Sequence, residues 1–172
     1  VNDELVAGVL RCQFLSVRIA GDVVFDINEA VSVTGNSGPY LQYAHARARS
    51  ILHKSGSVPG DILGDLETDE RSLLRKMGEY SELVDKATQE LMPHYICTYL
   101  YELAQTFNRF YEHNRVIDDP RQALRLGLVR HYADTLMYGR EIVLVDTGGF
   151  DPDSDDPMMG SIARQVRLAL AE

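Results

Sequence analysis

From Pro93 onward the apolar residues recur at helical spacing. Ile96, Leu100, Leu103, Phe107, Phe110 and Tyr111 form one stripe of a single long helix. Residues at that period share one face of a helix and not of a strand, so the stripe must be buried against another part of the chain. The chain around it has the same character. Helices are expected over residues 2–16, where Leu5, Val9, Cys12 and Leu15 drift along one face, and over 36–54, 67–78 and 81–91. Another starts near 119 and reaches at least residue 137, with Asp119 as cap and Pro120 at its first position. Short pieces fill the gaps: "DVVFD" as an extended or turn-like segment, "INEAVSV" as a brief helix and "SGSVPGDILGD" as a Gly/Pro-rich linker. "TGNSGP" is a break at which Asn36 or Ser37 can cap the next helix, with Pro39 in its first turn. The acids of "ETDE" suit the positive end of the helix dipole that opens near residue 67.

The fold expected is therefore mainly α, a helical bundle. After Gly139 the pattern changes. "REIVLVD" has the β-branched character and length of a strand, or it extends the preceding helix; "TGGFDPDSDDP" reads as a loop, and "MMGSIARQVRLALAE" closes the chain as an amphipathic helix. The division expected is residues 1–136 as one unit, with 1–35 leading into a bundle over 36–136, and residues 137–172 as a tail.

Of the 172 residues, 45% are hydrophobic, enough to build a core and to exclude wholesale disorder. No apolar run approaches the roughly 20 residues that cross a bilayer, and the N-terminus has no signal-peptide pattern. The start "VNDELVAGVL" has no initiator Met and reads as a fragment. Cys12 and Cys97 lack metal-ligand spacing and lie in apolar helical patterns; they are expected as free thiols in a reducing, cytoplasmic setting. No metal or cofactor is expected. The net charge of −9 and pI near 5.0 exclude a module that grips nucleic acid over its whole surface. A local basic stripe remains open.

One exists. Projected as a helix, residues 38–54 gather Leu41, Ala44, Ala48, Ile51 and Leu52 on an apolar face, with Tyr40, Tyr43, Arg47 and Lys54 along its edge. Between Pro39 and Ser55 there are Arg47, Arg49 and Lys54, and no acid. Tyrosine rings stack on unpaired bases and guanidinium groups pair with phosphate or stack on a base plane, so this edge suits an unstacked RNA loop. The same residues also suit a bundle helix whose tyrosines straddle the core boundary and whose arginines are solvated.

"GNSGPYLQYAHARARSIL" resembles the opening of the anticodon-binding helical domain of arginyl-tRNA synthetases, where N-T-[AG]-P-Y-x-Q-Y-A-x-x-R recurs. "LSVRIAGDVVFDINEAVSVTGN" is similar to the segment before it, and "LYELAQTFNRFYEHNRVI" to the family's L-Y-[ED]-L-A-x-x-F-x-x-F-Y-E string. The resemblance covers about residues 1–136. It implies the bundle of a class I synthetase anticodon-binding domain, a tRNA partner (that of arginine, held weakly) and contacts from Tyr40, Tyr43 and Arg47. It implies no catalysis, because the H-x-G-H and K-M-S-K-S signatures of the family's catalytic domain do not occur in the chain.

"RHYADTLMYGREIVLVDTGGFDP" resembles a different family, the Der-type GTPases of ribosome assembly. The resemblance implies vestigial switch positions at Asp146 and Gly149 and a chimeric origin for the chain. GTP binding is not expected: the G-x-x-x-x-G-K-[ST] phosphate loop is missing, as is N-K-x-D, and the family's switch threonine falls near Gly127. A strand cut from its parent sheet leaves unpaired backbone groups, so a homodimer through the tail is a further expectation.

Overall fold

The computed structural model describes residues 3–137, which form seven helices. They are α1 (Asp3–Leu15), α2 (Ile27–Ala30), α3 (Gly38–Ser55), α4 (Thr68–Gly78), α5 (Tyr80–Glu90), α6 (His94–His113) and α7 (Gln122–Met137). No strand occurs among the described residues, and none of their helices is long and apolar enough to cross a membrane. The expected strand, loop and closing helix of the tail lie outside the described residues.

Local chemistry sets the helix ends. Ser37, in an extended conformation, takes the N-cap of α3. Its Oγ accepts from the Tyr40 N–H at 3.2 Å and donates to the Ser32 carbonyl, while Pro39 occupies the first turn. Gly56 ends the helix at φ 59°, behind His53 and Lys54 in the last turn. A capping box opens α4: the Glu67 side chain accepts from the N–H of Glu70, and the Glu67 N–H donates to Glu70 Oε2 at 2.9 Å. Asp119 does not cap α7 as expected. Its Oδ1 accepts from Arg121 N–H at 2.8 Å and its carbonyl from Gln122 N–H at 2.9 Å, a turn that delays the helix to Gln122.

The main core lies where α6 packs on α3 and α4 while α7 closes over α3 and α4. Ala44, Ala48 and Ile51 of α3 are buried in it, and Leu41 and Leu52 pack at its margin, so the apolar face expected for residues 38–54 is the one buried. From α6 come Tyr99, Leu103, Ala104, Phe107 and Phe110, and from α7 Leu126, Leu128, Val129 and Tyr132. The rings of Phe107 and Tyr132 stack at 4.0 Å and 5°. Two members of expected stripes are exposed. Leu15 is 44% exposed, because at about 100° per residue it sits some 120° around α1 from the buried Val9. Tyr111 is 40% exposed, one residue beyond the buried Phe110. The lead-in packs a small cluster of its own, Val6, Val9, Ala30 and Val31.

Glycine makes two of these contacts. A Cβ on Gly38 would lie 3.0 Å from the Val9 Cα, so α1 crosses α3 at backbone contact. A Cβ on Gly127 would lie 2.3 Å from the carbonyl oxygen of Gly60, whose N–H donates to the Ala123 carbonyl at 2.8 Å. The 56–67 linker is thus laid directly onto α7.

A buried ion cluster joins the α4 N-terminus to α7. Glu70 is fully buried, accepting from Arg125 Nε at 2.8 Å and from Arg121 Nη2 at 2.5 Å. Arg125 also reaches Glu67 at 2.9 Å, Asp119 at 3.2 Å and the Arg115 carbonyl at 2.7 Å. Burial alone would push the Glu70 carboxyl up. Hydrogen bonds from Arg121, Arg125 and the Glu67 backbone outweigh it and bring the group down from 4.5 to about 2. Both cysteines are free thiols; Cys97 is buried, and burial followed by the neighbouring Cys12 raises it to about 11.

Candidate nucleic-acid interface

Tyr40, Tyr43 and Arg47 fall three and four residues apart on α3, so the helix stacks them along one edge. α3 runs beside α6, and the groove between the two brings these side chains onto one α6 residue, Asn108. The Arg47 Nη1 donates to Asn108 Oδ1 at 2.7 Å, and Asn108 Nδ2 donates to the Tyr40 hydroxyl at 3.0 Å. The Arg47 Nη2 donates to the Tyr43 hydroxyl at 2.8 Å. The guanidinium carbon lies 4.6 Å from the centre of the Tyr43 ring and 5.2 Å from that of Tyr111. Arg47 is thus held against two aromatic faces by cation–π attraction and by two hydrogen bonds. Tyr40 leans on Tyr101 at 5.5 Å, and the Tyr101 hydroxyl accepts from Gln105 Nε2 at 3.0 Å.

The three residues expected from the sequence are therefore adjacent. Three more were missed: Asn108, Tyr101 and Tyr111 of α6. The helical spacing predicts Tyr111 in the core stripe, whereas the structure leaves it 40% exposed. A signal for Asn108 was present in "FNRFYEHN", where an amide interrupts two phenylalanines at helical spacing. Gln42 lies on another side of α3, where its Nε2 would be 2.9 Å from a Cβ on Gly8 of α1. Asp146 and Gly149 lie outside the described residues.

The charges around the groove are unevenly paired. Among the described residues Arg109, Arg115, Arg121, Arg125 and Arg130 each have an acidic partner, whereas no ion pair involves Arg47, Arg49 or Lys54. Arg49 and Lys54 are exposed. His45, buried on the same helix, adds no charge at neutral pH: burial and then Arg49 lower it to about 4. Beneath the groove Tyr132 is fully buried; burial and then Tyr40 raise its phenol far above the usual range, so it stays neutral. No group of three or more His, Cys, Asp or Glu that could hold a metal occurs among the described residues.

A helical bundle with this lead-in and this edge is the anticodon-binding fold of class I aminoacyl-tRNA synthetases. An arginyl-tRNA synthetase structure from Thermus thermophilus superposes with a TM-score of 0.72 at 34% identity, covering 77% of this chain and 24% of that one. The model of the DALR anticodon binding domain matches residues 41–147, and the chain belongs to that family. The arginine–tRNA ligase of Thermobifida fusca is 37% identical over 142 residues, which are 79% of this chain and 25% of the ligase. That of Methanothrix thermoacetophila is 35% identical over 162 residues, 90% of this chain and 28% of the ligase. The chain thus spans about a quarter of the length of the curated relatives it matches.

Proposed function

We propose that this chain docks the anticodon arm of a tRNA, that of arginine, along the groove between α3 and α6, and that it contributes binding and no catalysis. The observation that carries the reading is Arg47: a guanidinium with no acidic partner among the described residues, held against the rings of Tyr43 and Tyr111 in a chain of net charge −9. Tyr40, Tyr43 and Arg47 are the contacts, with Lys54 extending the positive edge toward the phosphate backbone. Family membership supports the choice of partner, and relatives named arginine–tRNA ligases support the choice of amino acid.

A salt series of binding to the purified chain, comparing tRNA(Arg) with an unrelated tRNA, tests this. Preferential binding to tRNA(Arg) that weakens as salt rises is expected. Failure to bind either RNA at low salt would overturn it.

For residues 137–172 the proposal is a GTPase-derived extension without GTP binding, and it rests on the resemblance of "RHYADTLMYGREIVLVDTGGFDP" alone. The family match runs to residue 147, and an alignment covering 90% of the chain must pass that point, so the synthetase family has its own claim on part of this segment. Pairing of two copies through the tail has no observation among the described residues on its side.

A further inference from the structure

Asn108 joins the members of the groove and has no role in the reading above. We infer that Asn108 is the positioning residue for Arg47: it fixes the guanidinium against the tyrosine rings while leaving its charge available to an RNA phosphate. The inference rests on the groove being the docking site. An arginine on a helix surface is otherwise a long, mobile side chain whose ordering costs binding free energy. Here it is fixed at two points before any ligand arrives, by Asn108 Oδ1 at 2.7 Å and by the Tyr43 hydroxyl at 2.8 Å.

The amide suits the task for a chemical reason. A carboxylate at this position would hold Arg47 equally well but cancel its charge. An apolar side chain would leave the charge and lose the orientation. The amide cannot readily turn over, because the guanidinium offers only donors and would then face Nδ2; the Tyr40 hydroxyl, 3.0 Å from Nδ2, completes the arrangement as acceptor. These bonds use two of the five N–H donors of Arg47. The other three are free of protein acceptors among the described residues, and they suit a phosphodiester of an unpaired loop whose base stacks beside the half-exposed Tyr111.

The test uses the whole chain and an RNA hairpin carrying the stem and loop of an arginine anticodon arm, followed by fluorescence anisotropy over a salt series. Asn108→Asp, which keeps the shape of the side chain, should weaken binding by about tenfold or more. It should also reduce the slope of log affinity against log salt by about 0.7–0.9, the share of one phosphate contact. Asn108→Ala should weaken binding in the native background and change nothing when added to Arg47→Ala, since it acts through that residue. Asn108→Asp with native affinity and slope would overturn the inference. So would an equal loss from Asn108→Ala in both backgrounds, with the docking site left intact. If Asn108→Asp fails to fold, the alanine cycle decides. A native chain that ignores the hairpin at low salt overturns the docking reading and this inference with it.

Discussion

Removing the charge of Glu70 should destabilise the bundle more than any change in the RNA groove. Glu70→Gln keeps the shape of the side chain but leaves Arg121 and Arg125 without their shared carboxylate. The Arg121 side chain is 30% exposed and can turn to water, so its loss is small. The Arg125 side chain is 6% exposed and cannot. Stranding a buried cation costs about 3–5 kcal/mol. Arg125 retains Glu67, Asp119 and the Arg115 carbonyl, which places the cost near the lower end, about 3 kcal/mol. Glu70→Ala also deprives the Glu67 N–H of its acceptor and should cost about 1 kcal/mol more. For a chain of this size about 3 kcal/mol lowers Tm by roughly 10 °C.

The pH dependence supplies a second reading. Because the Glu70 pKa is lowered on folding, its contribution is present above 4.5 and is lost as pH falls toward about 2. At roughly 1.4 kcal/mol per unit, this amounts to about 3 kcal/mol, in agreement with the first figure. Thermal melts by circular dichroism at pH 7 and in acid should show the native chain and Glu70→Gln far apart at pH 7 and converging below pH 3. A Glu70→Gln Tm within 2–3 °C of native at pH 7, or a gap independent of pH, would refute the reasoning. Replacing both partners, Glu70→Leu with Arg125→Met, should recover much of the loss, since an apolar pair leaves no charge stranded.

Arg47→Glu should abolish binding to tRNA with helicity unchanged; equal binding by the variant would remove the assigned site. Gly127→Ala should lower the free energy of unfolding by about 1–3 kcal/mol, seen as a lower denaturant midpoint, because the added Cβ would meet the Gly60 carbonyl oxygen and the linker must move; an unchanged midpoint would mean that the linker does not rest there. Millimolar GTP with magnesium should leave Tm unchanged, since no phosphate loop is present, and a clear rise by differential scanning fluorimetry would overturn the reading of the tail.

The helices were legible because their signals are local: Ser37 before Pro39, acids ahead of α4, and a period of 3.6 through α6. Half of the groove was legible for the same reason, since Tyr40, Tyr43 and Arg47 share one helix edge. The other half required knowing that α6 lies beside α3, and spacing within one helix cannot say what lies opposite it. Tyr111 shows the limit well. One step beyond Phe110, it passed for core by composition and spacing, yet its ring faces the guanidinium of Arg47. The Glu70 cluster was hidden for a similar reason. Glu70, Arg121 and Arg125 look like ordinary surface charges until the α4 N-terminus meets α7, and the acids of "ETDE" were read only as partners of the helix dipole.

That cluster also bears on how an acidic chain can offer a site to RNA. A net charge of −9 would repel a phosphate backbone if spread evenly. In the described structure several acids are engaged locally: Glu67, Glu70 and Asp119 around Arg121 and Arg125, Asp69 with Arg109 and His113, and Glu79 and Glu102 with Lys76. The cations they hold belong to α4, α6, α7 and the loop before α7. Those of α3 keep their charge unmatched, and the helix itself carries no acid from Pro39 to Ser55. Screening limits the reach of exposed acids elsewhere to about 8 Å at physiological salt. A phosphate in the groove would therefore respond mainly to Arg47 and Lys54. Overall charge sets how weakly the chain attracts RNA from a distance, while local pairing sets where contact is favourable.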